Sequence, residues 1–214
     1  MQTEMTAHCP STTLLRLKAR SVPVFMRAVA ALAASLVAAN SVVAQSSQLV
    51  SAQLSVLTTG IVANGGTING FGIEPQLRVN GKYFSGVGKL SVGLGGQYTS
   101  HNASDDVGIR ITGAFVEPRL TLAKLVVGRV GPYVAARIAV LHQSNDAASS
   151  SNGVAFGGGG GVAIGVNSRV NLDFGVAGLI ENFGESRTLL GRTFIKGSMA
   201  TYAVKFGVNI GLGS

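Results

Sequence analysis

The sequence predicts an all-β protein: an eight-stranded, antiparallel, up-and-down transmembrane β-barrel that follows a cleaved signal peptide. Three observations lead there. First, residues 153–182 alternate strictly: Val154, Phe156, Val162, Ile164 and Val166 fall on one face, and Ala155, Gly157, Gly159, Gly161, Ala163 and Gly165 on the other. After the polar link Asn167-Ser168-Arg169, Val170, Leu172, Phe174, Val176 and Ile180 oppose Asn171, Asp173, Gly175, Ala177 and Glu181. A period of two is the signature of strands, and a short polar link between two such runs is that of a hairpin. Second, each run is about 13 residues, against about 5–6 for an ordinary globular strand, and has one apolar and one small or polar face, as a barrel wall between lipid and a polar lumen requires. Third, the 214 residues include 30 Gly, no Trp and only 12% charged residues. Yet no apolar run reaches the roughly 18–20 residues of a spanning helix.

The N-terminus reads as an export signal. Arg16, Lys18, Arg20 and Arg27 precede the apolar run Ala28 to Ala39, and Val42-Val43-Ala44 offers small residues for cleavage before Gln45. A basic segment, a short apolar segment and a small-x-Ala end make a secretory signal peptide. The expected division is a signal peptide over 1–44 and a barrel over 45–214. Met26-Arg27 is itself a normal signal start, so residues 1–25 are either an over-long start or a long basic leader. Cleavage removes four of the 17 basic and one of the nine acidic residues, leaving 170 residues of charge +5. It also removes Cys9, the single cysteine, so disulfides play no part in the exported chain. The basic residues are dispersed along the strands, which is not a nucleic-acid footprint.

Eight alternating segments follow. The first, Leu49 to Leu57, sets Val50, Ala52, Leu54 and Val56 outward and Ser51, Gln53 and Ser55 inward. The second, Phe71 to Asn80, sets Phe71, Ile73, Leu77 and Val79 against Glu74, Gln76 and Arg78. The third, Lys89 to Thr99, sets Leu90, Val92, Leu94 and Tyr98 against Ser91, Gly93, Gly95 and Gln97. The fourth, Val107 to Leu122, starts with Val107, Ile109 and Ile111 outward and Arg110 inward, then has Glu117 and Arg119 inward with Leu120 and Leu122 outward. The two phases disagree, and a bulge near Gly113-Ala114 would reconcile them. The fifth, Pro132 to Gln143, sets Val134, Ile138 and Val140 against Arg137. The sixth and seventh are the hairpin above, and the eighth, Thr193 to Leu212, opposes Tyr202, Val204, Phe206, Val208 and Ile210 to Lys205, Gly207 and Asn209. Polar loops are expected at 58–69, 100–106, 144–152 and 184–192 on the extracellular side, with both termini periplasmic. An even strand number closes without an edge, as lipid demands. Glu74-Pro75-Gln76-Leu77-Arg78 and Glu117-Pro118-Arg119-Leu120 recur on strands two and four.

The inward set contains Glu74, Arg78, Arg110, Glu117, Arg119, Arg137, Asp173, Glu181 and Lys205. An eight-stranded barrel is just wide enough for side chains to fill, and buried ions must pair. The expectation is an ion-paired plug, with a narrow or gated pore as the other reading. The inward glycines of strands three and six leave room for the Arg side chains of other strands. The run Gly157 to Gly161 lacks a following Gly-Lys-Ser/Thr and lies inside a strand, so it is no phosphate loop. His101 reads as a loop residue, and no His/Cys/Asp cluster has metal-ligand spacing. No cofactor is implied. Tyr83, Phe84, Tyr98, Phe115, Tyr133, Phe183, Phe194 and Tyr202 are the candidates for interfacial aromatic girdles.

Two resemblances follow from these residues. His142-Gln143-Ser144-Asn145 is similar to the active-site segment of the outer-membrane lipid A deacylases. The likeness implies His142 as base and Ser144 as nucleophile, acting with an acidic residue on an acyl ester. Here three strands follow the segment, and the nearest acids are Asp146 and Glu181. Over its whole mature length, by pattern rather than by a sharp motif, the chain resembles the small outer-membrane β-barrel superfamily. That porin-like group includes the membrane domain of outer-membrane protein A and the outer-membrane protein X type. The resemblance implies the outer membrane of a Gram-negative cell and a monomer surrounded by lipid and lipopolysaccharide. It also implies insertion by the barrel-insertion machinery and a structural, envelope-integrity or surface-interaction role without enzymatic activity. The alternatives are the lipid A acyl-ester hydrolase and a soluble periplasmic lipocalin-like carrier. The carrier requires the apolar faces inward and Glu74, Arg110, Asp173 and Lys205 exposed.

Overall fold

The structure is a computed structural model that describes residues 48–63, 66–84, 86–102, 108–145, 148–184 and 197–212. The signal segment 1–44, Asp146 and most of the expected loop 184–192 with Phe194 lie outside the described residues. Eight strands form one closed barrel in sequence order: β1 Val50–Ala63, β2 Gly66–Phe84, β3 Gly88–Asn102, β4 Gly108–Leu122, β5 Val130–Asn145, β6 Ala148–Gly165, β7 Val170–Phe183 and β8 Gly197–Leu212. Every neighbour is antiparallel, and β1 closes on β8 from Val50↔Leu212 to Val62↔Ala200. All eight predicted strands are present.

At the end that carries the termini, the connections are turns. In the β6–β7 turn the Asn167 side-chain oxygen accepts from the backbone N–H of Arg169 and Val170, both at 2.8 Å. This is the local bond that suits Asn to turns. Gly86 (φ 77°) and Gly128 (φ 56°) supply the left-handed positions of the β2–β3 and β4–β5 turns, where a Cβ would be strained.

The opposite end differs from expectation. Residues 58–63 and 66–69 belong to β1 and β2, Ser100–Asn102 to β3, Ser144 to β5, and residues 148–152 to β6. Thr, Ser, Asn and Gly read as loop residues, but here they form ladders. His101 accordingly lies within β3 and is buried, with its Nε2 2.9 Å from Thr59 Oγ1. Strands of 14–19 residues exceed the roughly 9–11 that a tilted strand needs to cross a bilayer. The barrel therefore continues past the apolar band as a collar.

That collar explains the apparent slip in β4. The β3–β4 register is unbroken from Gly88↔Leu122 to Asn102↔Gly108, so there is no bulge at Gly113-Ala114. Burial alternates without interruption: Ile109, Ile111, Phe115, Glu117 and Arg119 point inward, while Arg110, Thr112, Ala114 and Val116 point outward. What inverts is the environment. In the lower barrel the outside is apolar (Leu54, Ile73, Leu94, Val116, Ile138, Val204) and the inside polar. In the collar the outside is polar (Asn69, Asn102, Arg110, His142, Asn182), and the inside is an apolar cluster of Ile61, Ile109, Ile111, Phe115, Ala139, Leu141, Ala155, Phe183 and Met199. Lipid wets one zone and water the other, so the apolar residues exchange faces while the strand keeps its phase. Phe115 and Phe183, candidates for the girdle, are therefore interior; Tyr83, Phe84, Tyr98 and Tyr202 are exposed as expected. Register shifts do occur, between Asn80 and Tyr83 and between Gln143 and Asn145.

Val116 and Thr112 test this boundary on one strand. Val116→Arg, one step inside the apolar band, is expected to cost about 1–3 kcal/mol, between the interfacial and midplane penalties for a guanidinium. Thr112→Arg, in the water-facing collar, should stay within about 0.5 kcal/mol of wild type. Urea titration of the barrel in lipid vesicles measures both. Equal costs would place the membrane boundary elsewhere.

Candidate functional site

The polar lumen is built around Glu117. Its Oε1 accepts from Arg78 Nη2 at 2.8 Å and Arg119 Nη2 at 3.3 Å. Its Oε2 accepts from Arg137 Nη2 in a short bond and from Lys205 Nζ at 3.2 Å. Arg137 also forks onto Glu74, with Nη1 at 2.5 Å from Oε2 and Nη2 at 2.9 Å from Oε1, and Lys205 stands 3.6 Å from Glu74 Oε1. Arg119 Nη1 donates to Asp173 Oδ2, and the Tyr133 hydroxyl donates to Asp173 Oδ1 at 2.9 Å. Two guanidiniums also stack on rings, Arg119 on Tyr133 at 3.7 Å and Arg137 on Phe115 at 4.0 Å. Bidentate Arg–carboxylate geometry and ring stacking are what the planar guanidinium does best. Four cations and three carboxylates from β2, β4, β5, β7 and β8 thus tie opposite walls together, all at most 7% exposed.

Small residues make this convergence possible. Gly93 stands between Arg78 and Glu117 in one row, paired with Arg78 on β2 and with Glu117 on β4. A Cβ on Gly93 would lie 1.6 Å from Gln76 Nε2 and 3.1 Å from Arg78 Nη2. The inward glycines of β3 therefore make room chiefly for Gln76 and Phe115, with Arg78 only at the edge of the space beside Gly93. Those of β6 serve differently: a Cβ at Gly161 would meet the Tyr133 hydroxyl at 2.6 Å, and one at Gly157 or Gly159 would strike the β7 backbone near 2 Å. Glu74 and Glu117, each followed by an outward Pro, share Arg137 and Lys205 as partners, which gives the repeated Glu-Pro segments a physical meaning. Proline lacks an N–H, so the outward position removes only a ladder donor.

Seven of the nine predicted lumen residues come together. Arg110 does not: it is exposed on the outer face of the collar, because the true phase of β4 puts Ile109 and Ile111 inside. Glu181 is buried but apart from the network. Its Oε1 accepts from Thr201 Oγ1 at 3.1 Å, while its Oε2 has no partner among the described residues. Tyr133, expected in a girdle, is a lumen residue instead; its spacing of four from Arg137 already put both on one face. Cavities of about 30 Å³ lie on either side of the network, one beside Glu74, Thr99 and Glu181 and one beside Arg119, Asn171 and Asn209. Each has room for one or two waters.

His142 and Ser144 both point away from the lumen. Two residues apart on one strand face, their Cα atoms are about 7 Å apart, and the His142 ring is engaged by Asn152. His142 Nδ1 lies 2.7 Å from Asn152 Oδ1, so an amide stands where a triad needs a carboxylate. Glu181 is inside the wall, and Asp146 is outside the described residues. Among the described residues no group of three or more His, Cys, Asp or Glu could hold a metal ion.

This is the architecture of the small outer-membrane barrels, and comparison with solved structures bears that out at the level of fold. Crystalline Neisserial surface protein A matches with a TM-score of 0.55 at 14% identity, over 76% of this chain and 97% of that one. The N-terminal barrel of Pseudomonas aeruginosa OprF (TM-score 0.40, 12% identity, 75% and 97% covered) and the attachment invasion locus protein Ail of Yersinia pestis (0.42, 11%, 75% and 97%) also match. No protein-family model matches, and no curated protein is similar by sequence.

Glu117→Ala leaves four cations facing two carboxylates. The expected loss is about 3–5 kcal/mol, the range for breaking a buried pair, read as a lower unfolding temperature of the compact band on detergent gels. A Glu181→Gln barrel, which loses no cation partner, should unfold at or above the wild-type temperature. Gly159→Val, whose Cβ would lie 2.0 Å from the Val176 backbone oxygen, should abolish the compact band. Gly96→Val should keep it, because Gly96 has only Gly113 O, at 3.6 Å, near its Cβ position.

Proposed function

We propose that the chain is exported by its signal segment, cleaved after Ala44, and inserted by the barrel-insertion machinery as a monomeric outer-membrane barrel. In this reading the collar faces the cell exterior and the termini face the periplasm. The lumen is plugged by its ion pairs, and the protein serves as a structural or surface-interaction element rather than an enzyme. The single observation that carries this reading is the pairing of seven charged side chains, Glu117 among them, inside a wall whose outer face is apolar. Such a wall is stable only in lipid. Cross-linked charges that fill the section leave no water column for ions to follow. Lipid and lipopolysaccharide are the partners of the outer surface.

The geometry counts against the other readings. A carrier needs Glu74, Arg110, Asp173 and Lys205 exposed; Arg110 is, but the other three are buried. A lipid A hydrolase needs a base oriented by a carboxylate and within reach of its nucleophile, and His142 has Asn152 instead.

Two measurements test the proposal together. In outer membranes from cells expressing the full chain, the unboiled protein should run faster than the boiled one. In planar bilayers the purified barrel should hold the baseline, without sustained conductance steps. Stable steps of open-pore size would defeat the plug, and a soluble, heat-insensitive band in the periplasm would defeat the membrane assignment.

A further inference from the structure

The outer face of β4, β5 and β6 carries a groove where the apolar band meets the collar. It measures about 390 Å³ and is bounded by Thr112, Ala114, Val140, His142 and Asn152, with Gly113 and Gly153 behind. The barrel register stacks its surroundings in three rows. Ala114↔Val140↔Val154 form an apolar floor on the lipid side. Thr112↔His142↔Asn152 form a polar row, two residues further out, held by the His142–Asn152 bond at 2.7 Å. Arg110↔Ser144 come next, with the exposed Arg110 about 13 Å along the strand backbone from Ala114. The small side chain at 114 opens the floor, whereas Val116 and Ile138 fill the wall immediately below.

We propose that this groove seats one phosphorylated glycolipid of the outer leaflet. The order of the rows matches the order of such a molecule crossing an interface. An acyl chain lies on Ala114, Val140 and Val154, where no polar group is buried. The ester and sugar hydroxyls meet Thr112, His142 and Asn152, and the phosphate meets Arg110, whose planar donors suit phosphate oxygens. Ser144 lies beside that phosphate as a hydroxyl donor. His142 and Ser144 thus serve recognition, without the carboxylate that hydrolysis requires. The inference rests on the outer-membrane reading above.

The test uses the full chain, purified from outer membranes in mild detergent, with diphosphoryl lipid A as probe and native mass spectrometry as readout. Retention of one lipid A per barrel is expected. Ala114→Leu, which fills the floor, and Arg110→Glu, which opposes the phosphate, should each weaken retention at least tenfold. Ala136→Leu, on the same lipid-facing band but away from the groove, should not. Heat-modifiable migration of every variant confirms that the barrel itself is intact and separates this inference from the membrane reading. Equal retention by the Ala114→Leu and Ala136→Leu barrels would overturn the seat. Equal retention of phosphatidylglycerol and lipid A would overturn its glycolipid identity.

Discussion

Glu117 is the charge on which the interior depends. Four cations converge on one carboxylate, and two of them pass on to Glu74 and one to Asp173. Eight strands enclose too little space for separate hydrated ions, so each guanidinium must find a carboxylate, a hydroxyl or an aromatic face. Desolvation makes every member costly alone and acceptable only in company. The network also joins β2 to β5 and β4 to β7 and β8 across the lumen, links that the ladder of neighbouring strands cannot provide.

Backbone access sets where these charges can meet. Gly93 leaves the space that the Gln76 amide occupies beside Arg78, and Tyr133 reaches Asp173 past Gly161 and Gly175. Glycine in a strand interior ordinarily weakens it. Here closure of the ladder on both sides holds the backbone, and the missing side chains become the volume that Gln76, Phe115 and Tyr133 occupy. The lower lumen is a charged core, and the collar above it is an apolar one. A single strand such as β4 contributes to both.

Much of this was legible in the chain. Alternation identifies all eight strands, and the faces it assigns to every strand but β4 stand in the barrel. Seven of the nine lumen charges followed from parity alone. Arg110 was misplaced because a period of two defines two faces without saying which is inward, and the usual guide, apolar toward lipid, reverses where the strand enters water. The strand ends were hidden for a related reason. In the collar Thr, Ser, Asn and His form sheet, and their composition is that of loops. Phe115, Tyr133 and Phe183 were set at the interface by residue type, although their parity with Glu117, Arg137 and Glu181 already placed them inside.

The sequence by itself determined the class of fold, the number of strands and the inward faces of the lower barrel, because lipid outside and a polar lumen inside impose a pattern that any local stretch records. Only the tertiary structure decided which charge meets which, where the membrane band ends, and that His142 pairs with Asn152 rather than with an acid. Those outcomes depend on the stagger between strands distant in sequence, such as Gly93 between Arg78 and Glu117, and no local period carries that information.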